Sequence, residues 1–405
     1  MSSGCSTLSA MTEAFVLDWV NLLLRWAHLV VGISWIGTSF FFIWLDLALR
    51  RREGQAPGIQ GSAWLVHGGG FYDVAKYSVA PAFLPPELHW FRWEAYLTWA
   101  TGLGLLVVMY YLQASLYLID PARAALTPWQ ASAIGLLSLL AGWFLYDALV
   151  RALGDRPALL AGVLFAVIVA ASWGYDQVFS GRGALIHVGA LVGTWMAANV
   201  FAVIIPNQKK IVAALLAHQA PDPALGKAGK VRSVHNNYLT LPVLLLMVSN
   251  HYPFLTGHRH LWLVVALIVV AGGAVRHVLN RAEAGDPPRR YLWAAPVALA
   301  GLAALVVATA PQRLPVAAVP ADGTVLAIAQ RHCAVCHADR PSFPGFAQAP
   351  KEFRLETLDQ LRANAARVQA QLAGGVMPPG NATGLSAEER AALLAWVSAR
   401  YAGSQ

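Results

Sequence analysis

The chain has 405 residues, of which 57% are hydrophobic and only 12% charged, and its mean hydropathy is +0.51. A soluble domain carries about 25% charged residues, so a soluble enzyme of this length is excluded and a polytopic protein with the lipid bilayer as solvent is expected. The formal net charge of +8 does not point to a nucleic-acid partner, because the basic residues lie between apolar runs and do not share one face.

A bilayer core of about 30 Å needs roughly 20 helical residues. Eight segments qualify in chain order: Trp19–Leu45, Ala95–Ile119, Trp129–Tyr146, Pro157–Tyr175, Ala184–Pro206, Tyr238–Leu255, Leu261–Val275 and Tyr291–Ala310. The expected fold is therefore all-α, an eight-helix transmembrane bundle over residues 1–310. The first segment lacks a basic leader and a small-residue cleavage site, so it reads as a retained helix. Lys and Arg are held on the cytoplasmic side. One set of loops carries sixteen of them, Arg232 and Arg276 included, against three in the opposite set, Arg123, Arg182 and Arg259. This places the N-terminus and everything after Ala310 outside and the loop between the first two segments inside.

A Pro/Ala connector at 311–321 suits a semi-rigid spacer, and residues 322–405 hold no spanning run. Ser386 and Glu389 form a capping box ahead of an amphipathic helix carrying Leu393, Leu394, Trp396 and Val397. Ahead of it stands Cys333-Ala334-Val335-Cys336-His337. CxxCH is the attachment signal of a c-type haem, with two thioethers to the vinyl groups and the histidine on the iron. The one methionine after it, Met377, is the soft sixth ligand expected of an electron carrier. The rival readings are a zinc site or a thiol-redox pair. Neither a second CxxC with paired histidines nor a βαβ pattern is present to favour them. The tail resembles the small His/Met cytochromes c.

Several histidines fall where a bilayer makes them costly. His28 lies in the outer half of the first segment, His187 and His251 near the outer ends of the fifth and sixth, and His277 and His235 near inner ends. Histidines on facing helices can hold a haem b, which makes His28, His187, His251 and His277 candidate iron ligands. The alternative is helix-packing histidines bonded to backbone. The first inner loop holds His67-Gly68-Gly69-Gly70-Phe71-Tyr72-Asp73, Lys76-Tyr77 and His89-Trp90-Phe91-Arg92-Trp93-Glu94. Glycines let backbone amides approach a ligand, aromatics stack on a planar ring, and Arg92, Lys76, His67 and His89 can neutralise an anion. The rival is an aromatic segment lying along the membrane interface. His235-Asn236-Asn237-Tyr238 sits on the same side and offers amide groups or a simple helix cap.

Arg25-Trp26-Ala27-His28 with Ser34-Trp35-Ile36-Gly37, the His67–Tyr72 run, Leu88-His89-Trp90-Phe91-Arg92-Trp93-Glu94-Ala95-Tyr96 and His235-Asn236-Asn237-Tyr238, followed by a fused cytochrome c, resemble the membrane-bound urate hydroxylase family of bacteria. The resemblance implies oxidation of urate to 5-hydroxyisourate in purine catabolism without peroxide. Electrons would leave through the haem c domain to a soluble or membrane cytochrome or a terminal oxidase. It also implies the bacterial inner membrane, with the cytochrome domain in the periplasm. No family motif assigns the membrane domain's residues. Chemistry alone selects His67, His89 and Glu94 as candidate bases and Tyr72, Lys76, Arg92 and Asn236 as candidate contacts to urate. Two other functions compete: an electron-transfer subunit without its own substrate, fed by quinol or a partner dehydrogenase, and a histidine-lined metal permease.

Overall fold

The structure, a computed structural model, describes residues 2–77, 81, 84–85, 87–310, 319–344, 346 and 348–402. The connector expected at 311–321 lies outside the described residues except for its last three. Helix α1 (Ser2–Ala48) is followed by strands β1 (Ile59–His67) and β2 (Gly70–Tyr77), then α2 (Trp93–Leu106), α3 (Ala114–Tyr117), α4 (Pro128–Leu153), α5 (Pro157–Val178), α6 (Gly181–Ala198), α7 (Ile205–Leu216), α8 (Pro223–Val248), α9 (Pro253–Thr256), α10 (Leu261–Glu283) and α11 (Ala294–Ala308). Helices α12 (Asp322–His332), α13 (Leu358–Ala363), α14 (Ala365–Ala373) and α15 (Ala387–Ala402) complete the chain.

Helix starts are written locally. Thr127 and Gln130 form a capping box at α4, with Pro128 in the first turn; the Ser180 hydroxyl accepts from the Gly183 amide at α6; Asp222 accepts from the Ala224 amide at α8. Each satisfies amides that the helix leaves without partners. Among the described residues, five stretches are long and apolar enough to cross a membrane: Phe15–Ala48, Pro128–Leu153, Pro157–Val178, Gly181–Leu216 and Leu261–Glu283. The other three expected segments are helical but different. The second passes from α2 into a π turn at Val107–Tyr111. The sixth begins at Pro223, in a stretch holding Lys227, Lys230 and Arg232. The eighth has 15 residues.

The bundle core is aromatic and aliphatic, with Tyr146, Leu160, Ile168, Leu185, Trp195, Leu246 and Leu261 fully enclosed. Its outer faces are apolar as well: Leu137 and Phe144 on α4, Trp173 on α5, and Leu299, Val306 and Val307 on α11 are exposed. Apolar surface on that scale suits lipid and not water. A second core unites α12 to α15 through Val325, Ile328, Leu361, Val368, Leu372, Leu393, Trp396 and Val397. The expected box at α15 forms, the Glu389 amide donating to the Ser386 hydroxyl (3.1 Å) and the Ser386 amide to the Glu389 carboxylate (3.2 Å).

The all-α expectation is corrected by the hairpin β1–β2, paired in antiparallel register from Ile59↔Tyr77 to His67↔Gly70. Gly68 and Gly69 turn it with φ of +59° and +81°, the positive pair that a type I′ turn requires. The glycines therefore serve strand reversal. Two strands alone are marginally stable. Arg50 and Ser62 tie this hairpin to the end of α1 by two backbone bonds of 3.0 Å. A β-carbon in the left-handed region costs about 1–2 kcal/mol. Gly69→Val should weaken the hairpin by that amount, read as faster amide exchange over residues 59–77 with the helices unchanged.

Candidate active site

One end of the bundle forms a partly open cavity of about 340 Å³ between the second half of α1, the segment leading into α2, the α6–α7 junction and α8. That volume lies in the range of small-molecule sites, about 300–1,000 Å³. Trp35, Phe42, Trp90 and Phe91 supply flat aromatic walls, and Asp46, His89, Glu94, Gln208, Ser233 and Asn236 the polar groups. The walls interlock: Phe91 meets Phe42 edge to face at 4.8 Å and His89 at 4.6 Å. Glu94 stands in the first turn of α2, where the helix dipole favours a carboxylate. The α6–α7 junction is a π turn, Asn199–Ile204. Pro206 has no N–H to donate back along the helix, so the ladder before it relaxes into the wider turn.

Asn236 is held from behind. Its side-chain carbonyl accepts from Asn199 Nδ2 (2.9 Å) and its Nδ2 donates to the Met196 carbonyl (2.9 Å). Asn199 Nδ2 also donates to the Tyr146 hydroxyl (2.9 Å), which bonds His235 Nδ1 at 2.8 Å. Arg232 donates to Asn199 Oδ1 (3.3 Å) and pairs with Asp147. Tyr146 stacks on Trp195 with centroids 4.8 Å apart. Satisfied buried networks of this kind fix one side-chain geometry.

The structure thus brings His89, Glu94 and Asn236 to one cavity. Lys76 reaches its rim by pairing with Asp46. Arg92 lies over the Trp93 ring, 5.4 Å from its centroid, and does not line the cavity. His67 and Tyr72 stand on the hairpin, away from the lining, where Trp64, Val66 and Phe71 form one exposed apolar face. Sequence reasoning missed Asn199, Tyr146 and Asp147, and it counted Arg232 and Arg276 as loop charges. Both arginines are buried within helices, and Arg276 lies 3.9 Å over the Phe40 ring. The signal available for Asn199 was a polar residue inside an apolar segment, a functional candidate by default.

Among the histidines, His28 places Nδ1 at 3.0 Å from the Thr98 carbonyl and the Thr101 hydroxyl. A ring tied in this way at one nitrogen presents the other, as metal-ligating histidines do. His187 is fully buried and bonds at both nitrogens, to the Gly183 carbonyl (2.8 Å) and the Tyr111 hydroxyl (3.1 Å), among Tyr111, Tyr175 and Phe179. His277 bonds the Tyr238 hydroxyl (2.9 Å). His251 is exposed in the turn Ser249–His251.

In the C-terminal helices His337 places Nδ1 2.7 Å from the Phe353 carbonyl. This fixes the ring and leaves Nε2 for a ligand. Burial lowers its pKa, opposed by that backbone bond, which is the direction that favours the neutral imidazole a metal site uses. Burial, reinforced by Cys336, pushes the Cys333 thiol up to about 11, and burial raises Cys336 as well. Redox-active CxxC pairs have lowered values, the opposite direction. The described residues hold no cluster of three His, Cys, Asp or Glu side chains fit for a metal, as a zinc site would need. The Met377 carbonyl accepts from Arg390 (2.8 Å), which anchors the loop that carries the thioether. Two thiols, a tethered imidazole and an anchored methionine fit a covalently held haem.

A mostly helical protein with several helices able to cross a membrane, and with an aromatic, polar cavity at one end of its bundle, is the class this geometry defines. The sequence profile of the urate oxidase N-terminal family matches residues 14–309. The chain belongs to that family, and is a urate-oxidase-related protein of oxidoreductase type. The match ends beside the last residue of α11, so the CxxCH helices lie beyond it. No curated protein and no solved structure matches the chain.

Proposed function

We propose that this protein oxidises urate to 5-hydroxyisourate in the cavity of His89, Glu94 and Asn236 and delivers the electrons to a haem c on its C-terminal helices. The observation that carries the reading is the convergence of these three residues, between aromatic walls, in a chain of the urate oxidase N-terminal family. A flat, electron-rich anion stacks between Trp35, Trp90 and Phe91. Asn236 faces its amide edge, and Lys76 offsets the charge of Asp46 at the rim. Glu94 or His89 takes a proton as electrons leave, and water adds at C5. One urate and one water give one 5-hydroxyisourate, two protons and two electrons, and no oxygen is consumed.

Cys333 and Cys336 would hold the haem, and His337 and Met377 would be the residues for its iron; such a group supplies one-electron steps at a raised potential. In this reading all eight helical segments cross the bacterial inner membrane, with the N-terminus and the C-terminal helices in the periplasm. A periplasmic or membrane cytochrome, or a terminal oxidase, accepts the electrons. The cavity lies at the start of α2 and the C-terminal helices near α3, so about twenty residues, roughly 30 Å at 1.5 Å per residue, separate them. A haem b on His28, with His251 or His277 as a further ligand, would be the relay such a span calls for; His187, bonded at both ring nitrogens, does not fit that role. The test is an anaerobic visible spectrum of the solubilised protein before and after urate. Reduction of a c-type band is the expected result. Bleaching by quinol but not by urate identifies an electron-transfer subunit instead and overturns the proposal.

A further inference from the structure

The C-terminal helices pack against the end of the bundle opposite the cavity, and they do so through glycines. A β-carbon on Gly257, just after α9, would fall inside the van der Waals radius of the Gly374 carbonyl. One on Gly374 would stand 2.9 Å from the Pro253 β-carbon and carbonyl oxygen. One on Gly380 would enter the Ile119 carbonyl and lie 3.3 Å from those of Ser115 and Leu116. Backbone meets backbone at both places, an approach that any side chain prevents. Gly374 and Gly380 bracket Met377. The same loop is fastened by Arg390, which donates to the carbonyls of Leu372 (3.1 Å) and Met377 (2.8 Å) and is attracted by Asp120 across the seam. The bundle side is also braced. Arg182 lies over Tyr117 at 4.8 Å and donates to the Tyr110 hydroxyl (3.2 Å), which donates to Asn250 (3.0 Å).

We propose that this glycine seam is the port through which the membrane bundle passes electrons to the C-terminal helices, with the Met377 loop as the receiving face. The assignment rests on the proposed function, because it takes the acceptor to be the group held between Cys333 and Met377. Electron tunnelling falls exponentially with separation, so a seam without side chains is the shortest gap the two units can make. Transfer across it is intramolecular and independent of protein concentration. Gly257 is a positioning residue: it touches neither substrate nor haem.

Gly257→Val tests the port from the bundle side, leaving the C-terminal helices unaltered; the φ of −93° at this position suits any residue. Three readouts are taken on full-length holoprotein: haem c content and reduction by ascorbate, amide exchange over residues 253–258 and 374–380, and the single-turnover rate of haem c reduction by urate. The variant should keep the haem and its ascorbate response, lose protection at both segments, and reduce its haem on the order of 10- to 100-fold more slowly, as ångström misplacements of reacting groups do. A variant that loses protection yet transfers at the wild-type rate overturns the port, as does free exchange at both segments in the wild type. A protected wild-type seam with a haem that urate never reduces overturns the urate reading instead, and the port is then measured with quinol as reductant. Should Gly257→Val fail to accumulate, Gly257→Ala carries the same test, because its single methyl meets the same carbonyl.

Discussion

Replacing Cys333 and Cys336 together by alanine should remove the covalent porphyrin band and abolish urate-driven electron delivery to any external acceptor, with the bundle still folded. The two cores are separate. Val325, Leu361, Leu393 and Trp396 pack among themselves, and the bundle core of Tyr146, Leu185 and Trp195 shares no residue with them. Loss of the thioethers therefore acts on the small unit. A helical unit of about 80 residues has a marginal core of its own, and a buried cofactor adds apolar contact, so α12–α15 should also become sensitive to protease. The measurements are haem staining of the denatured protein, steady-state turnover with a cytochrome acceptor, and helix content of the solubilised chain. A double variant that still turns over urate with the same acceptor at the wild-type rate would show that charge leaves by another route. His337→Ala separates attachment from ligation: the porphyrin stays bound while its potential changes, because axial ligand identity sets that potential.

The second large effect is expected at Glu94. Glu94→Gln preserves volume and an oxygen acceptor in the first turn of α2 and removes the carboxylate's charge and its ability to take a proton. General base catalysis contributes about 10²–10⁴-fold, so kcat should fall by that factor while KM moves little. His89→Ala separates the alternatives. A comparable fall identifies His89 as the base or as its partner, whereas a modest change in KM alone makes His89 part of the aromatic wall with Phe91 and Phe42. If both variants keep kcat within a few-fold of the wild type, the cavity is not where the proton is removed. Asn236→Ala is not the cleaner probe, because it also removes one of the bonds that hold Asn199 and the side-chain donor to the Met196 carbonyl, and buried polar groups left unpaired cost about 1–3 kcal/mol each.

Particular residues show what could be read from one dimension. His89 and Glu94, in a loop more aromatic than a plain connector, and Asn236, in a separate amide run, were singled out in the sequence, and all three line one cavity. Arg92, His67 and Tyr72 belonged to the same loop as His89 and Glu94, and the fold places them off the cavity lining. A Gly-Gly turn reverses the chain at residues 68 and 69 and carries His67 and Tyr72 off on a hairpin, while Lys76 is drawn to Asp46. The glycines fit a ligand loop and a type I′ turn equally well, and pairing with a strand across the turn is what separates the two. Arg232 and Arg276 looked like loop charges because they border apolar runs. Helices that extend beyond those runs bury them, one among Asn199 and Asp147 and the other on Phe40.

The sequence by itself determined the helical character, the apolar runs long enough to cross a membrane and the CxxCH spacing, since hydropathy, helix capping and thiol spacing act over a few consecutive residues. Tertiary structure alone decided which polar side chains face one another. The cavity joins residues 35–46, 89–94, 200–208 and 233–236, and the seam joins residues 115–119 and 253–257 to 374–380. These pieces are distant in the chain, and no local propensity encodes their contact. It arises from helices packing side by side, from a π turn at Asn199 that opens space, and from glycines whose missing side chains let two backbones touch.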